Sequence, residues 1–440
     1  MLSPSRSRGF WIAVVLTGVG TGVAAAALTR LLQVVQRLVW GGSGVDILDT
    51  ASRAAPSRHL VALLGAGLLV GAGQLLLTRL SSGNGIDITA AIWFTSGRLP
   101  ALRTLGSAAL SVVIVGMGAA LGREGAPKQA GAVLANTLSD RARLSDEERR
   151  LLVACGAGAG MAAAYGVPLG GALFALEVLR GALALRFVLP ALVTSLVATG
   201  VSWEFLPDAP TYRLPDYRAS LSSTAWALLA GPVVGLVSVL YVRSVAWANG
   251  HKPEGWRRVL APVVALGLLG AVSIPFPQLL GNGRDVAQLA FVGELAAPLL
   301  LALVFLRPAA TVLCLGSGAP GGLFTPSLAL GALLGGVLGL PWAWLWPGVP
   351  PGLFALMGAA AMLAASTQGP ISSVVLVMEL TGFSRVAVVP LLLAVATATL
   401  VARSIEPRSI YDARLTDAQV RARQEAREHA AEEVPPNITA

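Results

Sequence analysis

Long apolar stretches separated by short polar connections follow one another along most of the chain. Several have the ~20 residues that a helix needs to cross the hydrocarbon core of a bilayer. Others are shorter, and such segments occur in a membrane only where protein buries them. The pattern predicts an all-α polytopic membrane helical bundle with broken or re-entrant helices. The apolar segments lie at 10–28, 59–80, 102–121, 130–138, 151–164, 168–177, 187–202, 225–248, 257–275, 295–315, 353–366, 370–382 and 386–402.

Composition supports a membrane protein over a soluble globule. Of the 440 residues, 55% are hydrophobic and 12% are charged, and the mean hydropathy is +0.71. The formal net charge of +9 comes from arginines in the short connections, a placement typical of cytoplasmic loops, and so no nucleic-acid partner is predicted. Cys155 and Cys314 lie far apart in apolar runs, without the spacing of metal ligands. Neither a disulfide, nor a metal site, nor a cofactor is expected.

Charge placement also predicts the topology. Arg6 and Arg8 precede the first apolar run, which puts residues 1–9 in the cytoplasm. Alanines at 24–27 could form a signal-peptidase site, but the run is long enough to span, and an uncleaved first helix is expected. We expect a membrane domain at 10–412 and a polar cytoplasmic tail at 413–440, in a multi-pass protein of the plasma (inner) membrane.

One ionisable side chain stands between apolar stretches, in the sequence Gly122-Arg123-Glu124-Gly125-Ala126-Pro127. An acid at membrane depth is costly, and Glu124 is therefore a candidate functional residue. If a helix begins at Pro127, its N-terminal amides could hold an anion, either this carboxylate or a solute that replaces it. The alternative is a capping acid that pairs with Arg123 or Lys128.

Two further glycine-rich breaks interrupt the apolar pattern. Residues 81–87 precede a short apolar segment, but there Asp87 could simply be a helix N-cap and Asn84 a turn residue. Residues 316–326 contain no ionisable group and offer only backbone amides and the hydroxyls of Ser317 and Thr325. Breaks of this kind are the usual sequence sign of a binding site near the bilayer midplane.

Two pairs of motifs recur in the same order and indicate two related halves. Gly122 to Pro127 aligns with Gly321 to Pro326 at an offset of 199 residues. Pro168 and Pro370 each open an apolar segment that ends in a glutamate nine residues later, at Glu177 and Glu379. We therefore expect broken helices from both halves to meet at one anion site, where Glu124 competes with the anion and could also carry a proton.

In combination, these residues resemble the CLC family of chloride channels and chloride/proton antiporters. The resemblance covers about residues 60–412. The family pattern G-R-E-G-P is similar to 122–125 with the proline displaced to Pro127, G-G-I-F-x-P resembles 321–326, and N-A-P-L-A-G-x-L-F-x-x-E resembles the stretch that ends at Glu177. The family motif G-S-G-I-P is matched less well by 83–87, and Tyr411 falls where the pathway tyrosine of the family lies.

The resemblance implies roles for particular residues. Glu124 would be the external gating glutamate, and chloride would bind at Asn84, Gly85, Ile86, Gly125, Leu323, Phe324 and Tyr411. It also implies two inverted-topology repeats, at about 60–205 and 225–405, in a homodimer with one pore per subunit. The expected partners are chloride, the lipid bilayer and, where transport is coupled, protons. Many relatives carry cytoplasmic CBS domains, and none is expected in this chain.

Three departures from the family pattern leave the mechanism open. Asn84 replaces a serine, Asp87 replaces a proline, and Val178 stands where many antiporters have an internal proton-transfer glutamate. Transport could therefore be channel-like, proton-linked, strictly coupled to protons, or selective for fluoride or nitrate.

Two other protein classes fit the sequence less well. An intramembrane hydrolase would need a nucleophile with a base at membrane depth, whereas the three histidines lie in or beside polar segments and no HExxH motif is present. A carrier of organic substrates would need several buried charges. The prediction is therefore not an enzyme.

Overall fold

The computed structural model describes residues 7–41, 47–80, 87–382, 387–416 and 418–423. Nearly all of these residues are helical. The helices are α1 (Arg8–Trp40), α2 (Ile47–Ser52), α3 (Pro56–Leu80), α4 (Ile88–Phe94), α5 (Ala101–Gly116), α6 (Gly125–Arg141), α7 (Asp146–Tyr165), α8 (Pro168–Phe174), α9 (Leu185–Trp203), α10 (Leu221–Gly250), α11 (Arg257–Val272), α12 (Arg284–Val292), α13 (Ala297–Gly316), α14 (Phe324–Leu345), α15 (Pro351–Thr367), α16 (Pro370–Thr381) and α17 (Val388–Ile405).

Within the described part of the chain, seven helices are long and apolar enough to span a membrane. They are α1, α3, α9, α10, α13, α14 and α17, and shorter apolar helices are α5, α15 and α16. Helices α7 and α15 lie at the centre of the bundle. Every residue of 151–165 and of 352–367 is buried. Large apolar side chains on the outer helices are exposed, as expected of a surface that faces lipid.

Glycine allows the central helices to pack closely in both halves. A Cβ atom on Gly131 of α6 would lie 2.0 Å from the carbonyl oxygen of Gly156 on α7. In the same way, a Cβ atom on Gly331 of α14 would lie 2.5 Å from the carbonyl oxygen of Gly358 on α15. These two helix pairs occupy corresponding places in the chain, and small residues at such contacts let helix backbones approach each other in a membrane.

One helix boundary differs from the sequence prediction, and two helices are absent from it. The helix expected to open at Pro127 begins two residues earlier, at Gly125. The predicted segments omit α14, although its sequence is apolar enough to span a membrane. The expected polar connection at 281–294 contains α12, whose polar residues bind a neighbouring loop; Gln288, for example, donates to the carbonyl oxygen of Arg213 at 2.7 Å.

Candidate functional site

The two glycine-rich breaks lie against each other inside the bundle. The N–H of Gly122 donates to the carbonyl oxygen of Gly322 at 2.7 Å, and the N–H of Gly322 donates to the carbonyl oxygen of Gly122 at 2.8 Å. Each break follows a helix that ends in a turn with positive φ, at Gly118 (113°) and Gly318 (96°), a conformation that favours glycine. The reciprocal bridge brings the start of α6 beside the start of α14.

Glu124 is fully buried at this junction, and its carboxylate binds the opposite half of the protein. Oε1 accepts the backbone N–H of Phe324 at 2.7 Å. Oε2 accepts from the hydroxyls of Thr325 at 3.2 Å and Tyr165 at 3.4 Å. Phe324 is the first residue of α14, where backbone N–H groups lack partners within the helix and the helix dipole is positive. We call this arrangement of one amide and two hydroxyls the carboxylate seat.

The carboxylate seat requires glycine on both sides. A Cβ atom on Gly322 would lie 2.0 Å from Oε1 of Glu124, and one on Gly122 would lie 2.2 Å from the same atom. Both distances are far below any van der Waals contact, so a side chain at either position would push the carboxylate away. The glycines of the two breaks therefore create the space that Glu124 fills.

The interpretation of Glu124 as a helix cap does not describe this geometry. Glu124 occupies the N-cap position of α6, but its side chain makes no capping hydrogen bond to that helix. Its carboxylate crosses instead to α14. It thus lies where an anion would meet the same donors.

Tyr165 is a site residue that the sequence analysis missed. It is the last residue of α7, and its hydroxyl lies 2.9 Å from that of Thr325. The guanidinium of Arg123 lies over its ring, 4.8 Å from the centroid. The only sequence sign was an aromatic residue directly before the Gly166 and Pro168 break, which does not by itself point to a hydroxyl donor.

Tyr411 contacts α6, the helix that begins next to Glu124. Its side chain is buried, and the N–H of Ile410 beside it donates to the carbonyl oxygen of Ser366 at 2.7 Å. The Nζ of Lys128, one helical turn after Glu124, lies 3.4 Å from the Tyr411 hydroxyl. Tyr411 and Glu124 therefore contact the same turn of one helix.

The other predicted site residues divide into two groups. Gly125 opens α6 and packs on the backbone of Gly322, while Leu323 directly precedes α14. Both lie beside the carboxylate seat. Asn84, Gly85 and Ile86 fall outside the described residues.

Glu177 and Glu379 are the glutamates of the second motif pair. Glu177 caps α16, which contains Glu379, and Glu379 caps α8, which precedes Glu177. Glu177 accepts the N–H groups of Ile371 and Ser372, the latter at 2.6 Å, at the start of α16. Glu379 accepts those of Leu169 at 3.0 Å and Gly170 at 2.7 Å, at the start of α8. The two caps are equivalent and reciprocal, as expected of two related halves.

The neighbouring Val178 is buried and presents an apolar side chain where the family pattern has an acid. Its backbone carbonyl accepts the Nη2 of Arg423 at 2.8 Å. Arg423 is itself buried and pairs with Asp412, shortly after Tyr411. The beginning of the C-terminal tail is therefore bound to the backbone of Val178.

His59 lies beside a polar segment in the sequence, and in the structure its side chain is not exposed. It is buried, with Nδ1 2.8 Å from the Ser273 hydroxyl and Nε2 3.0 Å from the carbonyl oxygen of Ala51. Trp40 packs edge-on against its ring. Both ring nitrogens are thus engaged in packing three segments together, away from Glu124.

Comparison with known proteins gives a consistent result. The model of the family described as voltage gated chloride channel matches residues 66–403. A ClcB-like chloride channel protein from Ralstonia nicotianae is 33% identical over 410 residues, 88% of this chain and 92% of that protein. The H+/Cl− exchange transporter ClcA from Citrobacter koseri is 30% identical over 445 residues, 95% of this chain and 91% of that protein.

Solved structures share the fold. The chain resembles the crystal structure of a slow cyanobacterial Cl−/H+ antiporter with a TM-score of 0.80 and 22% identity, over 98% of this chain and 100% of the other. It resembles a CLC-type fluoride/proton antiporter with a TM-score of 0.75 and 21% identity, over 92% and 97% of the two chains. The predicted all-α membrane architecture is confirmed.

Proposed function

The chain belongs to the CLC family and transports anions across a membrane, and we propose that its anion is chloride and that Glu124 gates the path. Relatives at 30% identity or more, named as chloride channel and H+/Cl− exchange proteins, support chloride. The observation that carries the gating role is the carboxylate seat, because a buried negative group there occupies donors that would otherwise meet an anion.

Gating follows from competition for the carboxylate seat. While Glu124 is ionised and bound to the Phe324 amide, an anion cannot take that position. When the carboxylate is protonated or displaced, the amide becomes available to an anion. A backbone dipole at a helix N-terminus attracts an anion yet carries only a partial charge, which favours both binding and release. Chloride passage should therefore depend on pH and on chloride concentration.

Val178 bears on proton coupling. Valine carries no titratable proton, so this side chain cannot receive a proton from Glu124. We therefore favour chloride movement that is channel-like or only loosely linked to protons. Strict chloride/proton exchange is the alternative, and it is supported by the exchange transporters among the relatives.

We further propose the assembly and placement that the family resemblance implies. The protein would be a homodimer with one pore per subunit, in the plasma (inner) membrane, with both termini cytoplasmic and no enzymatic activity. Chloride, and protons where transport is linked, would be its only substrates. The packing of α1 on α9 matches that of α10 on α17, which favours a first repeat that starts at α1, earlier than residue 60.

The test is flux from liposomes that contain the purified protein, with chloride and protons recorded together. Wild type is expected to release chloride, and Glu124→Gln should change the rate and remove its pH dependence, because the amide cannot ionise. Glu204→Gln makes the same change at an exposed position and should behave as wild type. Absence of chloride flux would refute the function, and an unaltered pH dependence in Glu124→Gln would refute the gate.

A further inference from the structure

The first part of the C-terminal tail forms a short helix that packs on the membrane domain. Residues 418–423 are helical, and we call them the tail helix. A capping box starts it, because the N–H of Gln419 donates to the Thr416 hydroxyl at 3.4 Å and the N–H of Thr416 donates to the Gln419 side chain at 3.0 Å. Val420 and Arg423 are both buried. Residues three apart share one face of a helix, so this face of the tail helix is the one that packs.

The guanidinium of Arg423 binds three separate parts of the chain. Nη1 pairs with the carboxylate of Asp412, and Nη2 donates to the backbone carbonyl of Val178 at 2.8 Å. Cζ lies 5.1 Å from the centroid of the Trp93 ring in α4, where the aromatic face stabilises a cation. These contacts suit arginine, because its planar fork presents several N–H donors in fixed directions. The gating mechanism uses none of them.

Asp412 connects this guanidinium to the turn that carries Tyr411. Its Oδ2 accepts both the N–H and the hydroxyl of Ser409, at 2.9 and 2.8 Å. The N–H of Asp412 donates back to the Ser409 hydroxyl at 3.2 Å. Residues 409–412 are therefore closed into one turn, with Tyr411 inside it. The acid is 4% exposed, and a buried carboxylate that loses its ion pair is strongly destabilising. The position of this turn therefore depends on Arg423.

We propose that Arg423 is a positioning residue of the chloride path, and that docking of the tail helix and binding of chloride favour each other. The proposal rests on the proposed function and on the expectation that Tyr411 takes part in chloride binding. Without the guanidinium, the Asp412 carboxylate would turn towards water and take Tyr411 with it. With the tail helix docked, the turn is held in the arrangement that binds chloride. Coupling between two binding events is reciprocal, so bound chloride should in turn stabilise the docked tail helix.

The test is chloride efflux from liposomes that contain the full-length protein, over a series of chloride concentrations. Arg423→Gln should raise the half-saturating concentration about tenfold, if the tail helix is then docked in about a tenth of the molecules. The maximal rate should stay close to that of wild type, because saturating chloride restores docking. A loss of folded protein would instead lower the maximal rate alone.

Two further variants identify the cause. Arg423→Gln combined with Asp412→Asn removes the unpaired carboxylate and should return the half-saturating concentration towards the wild-type value. The matched control is Arg421→Gln, which makes the same change at an exposed position of the tail helix and should behave as wild type. An unchanged half-saturating concentration in Arg423→Gln, or no recovery in the double variant, would overturn the proposal.

A second measurement needs no variant, which matters if Arg423→Gln does not fold. Hydrogen–deuterium exchange of the wild-type protein is compared in chloride and in gluconate. Chloride should slow exchange in residues 418–423 as well as in residues 409–412. Slower exchange in 409–412 alone would overturn the coupling. None of these results would affect the proposed function, which fails separately if wild type passes no chloride.

Discussion

The hydroxyl of Thr325 should help to keep the gate closed, and Thr325→Val tests this with little change in shape. Thr325 is buried, and its hydroxyl donates to Oε2 of Glu124 at 3.2 Å. A single-atom anion at the Phe324 amide would replace Oε1, which accepts that amide. Such an anion has no second atom at the position of Oε2, where Thr325 donates. The Thr325 bond therefore stabilises the carboxylate and not the anion.

The magnitude follows from the geometry of this bond. Hydrogen bonds to charged groups contribute roughly 1.5–3 kcal/mol. The Thr325 bond is longer than the usual hydroxyl to carboxylate distance, and the Tyr165 hydroxyl remains as a donor to the same oxygen. We therefore expect a loss of about 1 kcal/mol, or about fivefold in the equilibrium between the seated and the displaced carboxylate. Because chloride competes with the carboxylate, its half-saturating concentration should fall by about the same factor.

The assay is chloride efflux from liposomes over a series of chloride concentrations. Thr311→Val is the matched control, because Thr311 is also buried but its hydroxyl donates within its own helix, to the carbonyl oxygen of Arg307 at 3.2 Å. It should leave the half-saturating concentration unchanged. A half-saturating concentration that stays the same or rises in Thr325→Val would show that the hydroxyl does not favour the closed gate.

Two further predictions concern the gate and the edge of the bundle. Gly322→Ala should open the gate without substituting Glu124, because the new Cβ would lie 2.0 Å from Oε1 and displace the carboxylate. Chloride efflux should then lose its pH dependence. Gly250→Ala is the control and should leave the pH dependence of efflux unchanged, because no neighbour lies within 4 Å of the added Cβ. Burial acts to raise the pKa of Glu406, but hydrogen bonds from Arg408 and Arg243 outweigh it and hold that pKa below 4.5. The folded protein therefore binds this proton less readily than the unfolded chain, so the stabilisation is present above pH 4.5 and is lost as pH falls through the lower folded value. Thermal unfolding in detergent should show it as a fall in Tm on acidification that is smaller in Glu406→Gln; an equal fall would contradict the assignment.

Local patterns in the sequence were sufficient for much of the fold. Ser145 and Glu148 have the spacing of a capping box, which predicts that a helix begins there, and both bonds of the box are present at the start of α7. The breaks that contain Glu124 and Phe324 were predicted to meet, and they do. The family assignment made from these motifs is confirmed by the matching family model and by the relatives.

Residues whose role depends on tertiary packing could not be predicted from the sequence. Tyr165 donates to Glu124 only because α7 ends beside the start of α14, and nothing in its local pattern indicates that neighbour. Lys128 was considered only as a partner for Glu124, whereas its side chain extends to Tyr411 from the other half of the protein. Distance in sequence is the common reason, since each contact joins residues more than 40 positions apart.

Glu124 and the glutamates of the second motif pair lie in different surroundings, and the difference supports the proposal that Glu124 is the acid that moves. Glu177 and Glu379 each accept two backbone N–H groups across the junction, and each half supplies one such cap, so neither half can satisfy its short helix alone. The bridge between Gly122 and Gly322 joins the same two halves, and Leu323, which aligns with Glu124 at the offset of 199 residues, is not an acid. The second half therefore offers an amide there and no acid in return. Glu124 instead accepts a single backbone N–H, and its other two donors are hydroxyls at 3.2 and 3.4 Å, which can rotate away from a departing carboxylate as a gate requires.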